Sequence, residues 1–291
     1  MMETILERLA RPGILVADGA TGTMLQNVGL MRGVAPETWV LERPEAIRAL
    51  HRSYIEAGSD IIITCTFGGT RQRLQHADLA DRVAEVNHRA VELAREVAAG
   101  RVFVGGDIGP TGMLLEPLGE LTYADAVNAF AEQAQALAEG SVDYFHIETM
   151  SDLQEVRAAI AGVRRVSDLP IIATMSFDMG GFTMMGVKPE DAVNSIWGWG
   201  AAVVGANCGR SLEEMEKVIA AMHQAQPQAV LMAKPNAGLP RLEDDVAVYD
   251  TTPEEMASYA RRYVALGARI VGACCGSTPA HIAAIAKAVQ G

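Results

Sequence analysis

The feature that most limits how this chain can fold is an eightfold beat. Short β-branched or apolar runs bounded by turn residues fall at 14–17, 61–64, 102–105, 144–147, 171–174, 202–205, 230–233 and 270–273. Longer Ala/Leu/Glu-rich stretches of helical period follow them at 45–57, 79–98, 123–139, 153–166, 189–199, 212–224, 253–266 and 279–289. Runs this short fit strands buried on both faces, and the intervening stretches are long enough to cross back over a sheet. Several of the longer stretches open on helix-start signals: Thr122, Ser151-Asp152, Ser211 ahead of Glu213 and Glu214, and Thr252-Pro253-Glu254. Glycines stand where helices should stop, in "EAGSD", "AEGSVD" and "ALGARI".

Strict β/α alternation repeated eight times predicts a closed (β/α)8 TIM barrel, one α/β domain over residues 1–291. The competing fold is a doubly wound open sheet. A dinucleotide-binding version would carry GxGxxG after its first strand, and "DGATGT" does not match it. In a barrel the residues just past each strand share one mouth. Here they are Asp18, Thr64-Cys65, Asp107, Glu148, Ser176, Asn207-Cys208, Asn236 and Cys274-Cys275. The irregular stretches 28–36 and 239–251 read as loops over that mouth.

Composition removes several partners. A net charge of −12 and a pI near 5.0 argue against nucleic acid or an anionic membrane. No apolar stretch is long enough to span a bilayer, and Met1-Met2-Glu3-Thr4 lacks the basic flank of a signal peptide. Four cysteines (Cys65, Cys208, Cys274, Cys275) in 291 residues make no disulfide framework, so the expected setting is a reducing cytoplasm.

Cys274 and Cys275 are adjacent, glycine-flanked and just past the eighth apolar run, and Cys208 lies just past the sixth. Three thiols at one end of a barrel suit a tetrahedral zinc with one open position, the arrangement of catalytic sites. There is no CxxC pair, and a lone cysteine is more often a reduced core residue. The tandem pair brings the ligand reading level with the packing one. Asp18 could stabilise a tight turn, or face a cation while the amides of Gly19 and Ala20 receive a carboxylate. Glu148 follows an apolar strand, where an unpaired charge is costly to bury and calls for a polar ligand or basic partner. His146 reads as a satisfied structural histidine, Asp107 as a loop-orienting residue, and Trp197 and Trp199 as helix packing.

In order and spacing, "DGATGT", "HRSYIEAGSDIIITCTFGGTRQRL", "GDIGPTG", "IETMSD", "GANCG", "KPNAGLP" and "GACCGSTPAHI" resemble the homocysteine S-methyltransferase family. That family includes the homocysteine-binding module of cobalamin-dependent methionine synthase and betaine–homocysteine methyltransferase. The resemblance implies that Cys208, Cys274 and Cys275 hold Zn2+, whose fourth position takes the homocysteine thiol. It further implies that Asp18 and Glu148 hold the amino group of homocysteine and that the backbone after Asp18 receives its carboxylate. Asn236 would occupy the open zinc position when no thiol is bound.

Two methyl donors fit the family. Betaine calls for an aromatic cage, yet aromatics are only 5% of the chain and Phe67-Gly68-Gly69 lacks the extra ring of the betaine branch. "TFGGTRQRL" and "GDIGPTG" are closer to the methionine-synthase branch. The expected donor is therefore methylcobalamin, carried by a separate corrinoid protein that docks at the mouth. Methylamines, S-methylmethionine and a non-catalytic zinc-binding protein are the rival readings. Cys65 stands where the synthase branch has Asn, and Lys234 where an acidic residue is common, so another thiol or a selenol stays open as the acceptor.

Overall fold

The computed structural model describes residues 3–243 and 246–290. Its strands are β1 (Leu15–Val16), β2 (Ile61–Ile63), β3 (Phe103–Ile108), β4 (Tyr144–Met150), β5 (Ile171–Met175), β6 (Val203–Cys208), β7 (Leu231–Pro235), β8 (Arg241–Glu243), β9 (Val246–Val248) and β10 (Ala268–Val271). Eight of them form one sheet in the order β1-β10-β7-β6-β5-β4-β3-β2, with every pairing parallel. A parallel bridge from Ala17 to Ile61 joins the two ends. The helices between strands flank the sheet, and this is the expected (β/α)8 TIM barrel.

The two-residue period of the strands divides their side chains between two layers. Leu15, Ile61, Tyr144, Ile172, Val203, Met232 and Ile270 pack in one cluster with Ile5 and Leu9 of the N-terminal helix Ile5–Ala10. That cluster fills the barrel at the N-terminal ends of the strands, with the helix as its floor. Val16, Ile62, Val104, Phe145, Ala173, Val204 and Val271 point the other way and pack under the outer helices. Each fully buried aliphatic side chain contributes roughly 1.5–3 kcal/mol. Gly105 is needed inside: a Cβ there would lie 2.4 Å from the Tyr144 hydroxyl.

The same alternation carries the interior face upward, from Tyr144 to His146 and Glu148, from Ile172 to Thr174, from Val203 to Asn207 and from Met232 to Lys234. The interior thus turns from apolar at the floor to polar at the mouth.

The helix starts follow the sequence signals. Thr122, Asp152, Ser211 and Thr252 each accept a backbone N–H of the first turn through the side chain. Two stretches depart from expectation. The helix expected over 79–98 opens as a 3-10 turn, Ala80–Arg82, before Val83–Ala98. The stretch 239–251 is not an irregular loop, because β8 and β9 pair antiparallel within it, with Arg241 opposite Val248.

Candidate functional site

The ends of β6, β7 and β10 are laced together by the backbone. Asn236 N donates to Cys208 O (3.2 Å), Cys274 N to Pro235 O (2.8 Å) and Ala237 N to Cys275 O (2.9 Å). Cys208 has φ +58°, a left-handed conformation that a non-glycine residue adopts at a cost of about 1–3 kcal/mol. This kink ends β6 with its thiol beside the 274–275 turn: Cys208 Sγ lies 3.2 Å from Cys274 Sγ. The sulfurs of Cys208, Cys274 and Cys275 all fall within 4.8 Å of one another. Among the described residues, they alone form such a His/Cys/Asp/Glu group able to hold a metal. Gly276, φ +80°, continues the turn, and a Cβ on it would sit 2.1 Å from the ring of Tyr249, so the residue just after β9 packs directly on the cysteine turn.

Asn207 fixes the thiol of its neighbour. Its Nδ2 donates to Cys208 Sγ (3.4 Å) and Thr149 Oγ1 (2.7 Å), while its Oδ1 accepts from Thr174 Oγ1 (2.7 Å) and Thr149 N (2.8 Å). With both ends of the amide engaged, the side chain has one orientation. The thiols are mutually hydrogen-bonded in charge as well as position. Cys275 is held down by hydrogen bonds from Cys208 and Cys274, whereas Cys208 is pushed well up by those with Cys274 and Cys275.

Beside the sulfurs lies a buried acidic cluster with one cation. Lys234 Nζ is 3.2 Å from Asp18 Oδ1 and 3.8 Å from Glu148 Oε2, with the Lys234 side chain 2% exposed. Asp18 Oδ2 accepts Ile63 N at 2.8 Å. Burial pushes the Glu148 carboxyl up to about 7 against the pull of Lys234, and it raises Asp107 well above the carboxylate range. A cavity of about 440 Å³ opens onto this cluster and the cysteines, and runs out past Phe67 and Arg73.

Cys208, Cys274, Cys275 and Glu148 line one cavity with Gly19 and Ala20, and Asp18 is paired with Lys234, which lines the same cavity. The Ala20 amide already donates to the Ser277 hydroxyl (3.0 Å), so it is not free to receive a carboxylate. Asn236 donates through Nδ2 to Gly209 O (2.9 Å) and keeps a buried Oδ1 without a hydrogen-bond partner. His146 is not a satisfied structural histidine. Neither ring nitrogen has a hydrogen-bond partner, and burial holds it well below its ordinary value and so neutral. Asp107 does not orient a loop; it sits within β3, buried, and faces the cavity. Trp197 and Trp199 pack against the core as expected. Glu37 was invisible in the sequence: it is buried, accepts Gly68 N at 2.6 Å, and nothing local marks it out.

Residues 15–289 match the homocysteine S-methyltransferase family. The chain belongs to that family. It is 33% identical over 296 residues to methionine synthase of Mycobacterium tuberculosis, covering 95% of this chain and 24% of the relative. It is 32% identical over 309 residues to methionine synthase of Mycobacterium leprae, covering 99% and 25%. The chain thus spans about a quarter of the length of these relatives. In fold it is similar to the homocysteine methyltransferase MmuM of Escherichia coli in a metallated form, with TM-score 0.82 at 23% identity, covering 96% of this chain and 98% of that one.

Proposed function

We propose that this protein is a zinc-dependent S-methyltransferase that methylates the thiol of homocysteine to give methionine, using a methyl group delivered by a methylcorrinoid on a separate protein. The observation that carries the reading is the convergence of three sulfurs, from strand ends far apart in sequence, on a cavity that also holds a buried acidic cluster.

The donor set fits zinc. At Zn–S distances near 2.3 Å, tetrahedral ligands stand roughly 3.8 Å apart, and the 3.2 Å separation and 4.8 Å limit bracket that spacing. Cys208, Cys274 and Cys275 would hold the ion and leave it a fourth position. When bound, zinc supplies the charge that keeps an incoming thiol deprotonated near neutral pH. The protein's own residues do the rest. Asn207 aims Cys208, and Asp18 and Glu148 set the negative field that draws the amino group of homocysteine. The backbone at Gly19 faces the cavity where the carboxylate would lie, and the Ala20 amide joins it by exchanging Ser277 for substrate. Asn236 offers its unpartnered Oδ1 to the cysteine site when no thiol is present. The acceptor sulfur then forms a bond to the methyl carbon, and the pair from the breaking bond leaves with the donor.

Two observations support a carrier protein over betaine. Phe67, the aromatic ring that lines the cavity, already has a cation beside it, Arg73 at 5.9 Å from its centroid, and Trp39 has Arg43 at 4.2 Å. Exposed apolar side chains also crowd the loops above the mouth: Met31 after β1, Leu118 after β3, Met179 and Met184 after β5, and Leu239 after β7. Met31 and Met184 are each 73% exposed. Adaptable, methionine-rich rims of this kind suit a docking protein. No helix among the described residues is long and apolar enough to cross a membrane. A cytoplasmic setting, where all four thiols stay reduced, belongs to the proposal.

The test is a donor panel of methylcobalamin, methyltetrahydrofolate, betaine and S-methylmethionine with homocysteine, using zinc-loaded protein and Cys208→Ala. Methionine formed from the corrinoid donor and lost in the variant supports the reading. Equal turnover by Cys208→Ala removes the zinc mechanism, and turnover with betaine alone removes the corrinoid.

A further inference from the structure

One strand at the mouth breaks its own alternation. In β4, Tyr144, His146 and Glu148 face the barrel interior, so Thr149 should point outward and Met150 inward. Thr149 instead lines the cavity beside Glu148, while Met150 packs in the outer cluster with Phe145 and Ile147. The pairing of β4 with β5 shifts register between Ile147 and Met150, the mark of a bulge, and within it Thr149 has φ +59°.

Asp78 and Ala99, also at positive φ, end helical turns, and Ser141 follows the end of the helix Tyr123–Glu139, where left-handed residues are common. Thr149 lies inside a strand and is β-branched, the side-chain type that fits positive φ least. Strain of this kind persists only where the surroundings enforce it. Asn207 does so here: its Oδ1 accepts Thr149 N (2.8 Å) and its Nδ2 donates to Thr149 Oγ1 (2.7 Å). That bond uses the hydroxyl as an acceptor and leaves its proton to be donated. The other polar contact of Thr149 Oγ1 among the described residues is Cys208 Sγ, 4.0 Å away. A thiol is a weak acceptor, whereas a thiolate is a charged and stronger one.

We infer that Thr149 is a positioning residue of the metal centre: its strained bulge, clamped by Asn207, turns a hydroxyl into the cavity to donate to the Cys208 sulfur as the thiolate. This rests on the zinc reading and adds a partner from β4 to a sulfur trio carried by other strands. The strain serves the site and not the strand, since a glycine would take the same bulge without it.

The experiment compares Thr149→Ser, Thr149→Val and Thr149→Gly by chelator competition for zinc and by thermal melting of the metal-free protein. Serine keeps the hydroxyl, so zinc affinity should stay within about threefold of wild type. Valine keeps the shape and loses the hydroxyl, and affinity should fall about 10- to 100-fold. Glycine should bind zinc as weakly as valine. Its metal-free form should nevertheless melt about 2–4 °C above the valine variant, because φ +59° is no longer strained. A residue that served only the fold would not raise melting and lower zinc affinity in one substitution. Wild-type affinity in the valine variant, or equal losses in serine and valine, overturns the inference and leaves the zinc reading intact. A glycine variant that melts no higher than valine overturns the strained bulge. Wild-type protein that takes up no zinc overturns the zinc reading itself, and the inference with it.

Discussion

Replacing Lys234 with methionine would strip the acidic cluster of its one internal cation. At 3.2 Å and 3.8 Å, and with an effective dielectric of about 20, the attractions to Asp18 and Glu148 are about 5 and 4 kcal/mol. Desolvation of the lysine offsets part of this. Removing one partner from a buried pair has a net effect of about 3–5 kcal/mol, a large share of a typical total of about 5–15 kcal/mol. The pH dependence has a definite sign. Burial, opposed by Lys234, already raises the Glu148 carboxyl to about 7 from an ordinary 4.5, and without the lysine it rises further. A carboxyl with a raised folded-state value binds more protons folded than unfolded, so its contribution is full below about pH 4.5 and is lost as the pH climbs through the folded value. The penalty for Lys234→Met should therefore be smaller near pH 5 than near pH 8, because the difference between the two proteins builds up as the pH climbs past the wild-type Glu148 value. Urea unfolding of chelator-treated protein at both pH values measures it. Asp18→Asn added to Lys234→Met should recover about 1–3 kcal/mol, the coupling expected of contacting charges. A penalty below about 1 kcal/mol at the higher pH, or one that grows as pH falls, would refute the assignment of Lys234 as a load carried by the carboxylates.

Three further outcomes follow from the site. Asn207→Asp exchanges the N–H that reaches Cys208 for a negative charge, and zinc affinity in a chelator competition should fall about 10- to 100-fold; an unchanged constant would contradict the orienting role. Gly276→Ala forces a Cβ into Tyr249 at a φ of +80°, so the melting temperature should drop by an amount equivalent to about 1–3 kcal/mol, and wild-type melting would show that the ring does not rest on the turn. Met31→Glu combined with Met184→Glu should lower kcat/KM about tenfold with a methylcorrinoid protein as donor and leave free methylcobalamin unaffected, since only the protein donor uses the rim. Equal effects on the two donors would argue against docking there.

The barrel was legible because its information is local and repeated: each apolar run, cap and terminal glycine speaks for its own element. The cysteines were legible for a related reason. Strand ends in a barrel share one face, so Cys208 and Cys274, 66 positions apart, could be brought together by counting strands alone. What escaped depends on contacts between side chains. Lys234 registered only as a departure from the family pattern, and nothing near it in sequence reveals that its ammonium reaches a carboxylate 216 positions away. Asp107 was read as a loop residue because "GDIGPTG" is rich in turn formers, yet β3 runs through Ile108 and so turns Asp107 inward. His146 was expected to find a partner, as buried polar groups generally do, and it lies among groups just beyond hydrogen-bonding range. The β8–β9 hairpin escaped because its strands are three residues each, too short for alternation to register.

The central claim is that three cysteine sulfurs share one zinc and leave a place for a thiol. Zinc K-edge X-ray absorption on metal-quantified protein, before and after homocysteine, tests it most directly. The account predicts one zinc per chain with three sulfurs at about 2.3 Å, rising to four when homocysteine binds. Substoichiometric zinc, a shell of fewer than three sulfurs, or a sulfur count that homocysteine leaves unchanged would contradict it.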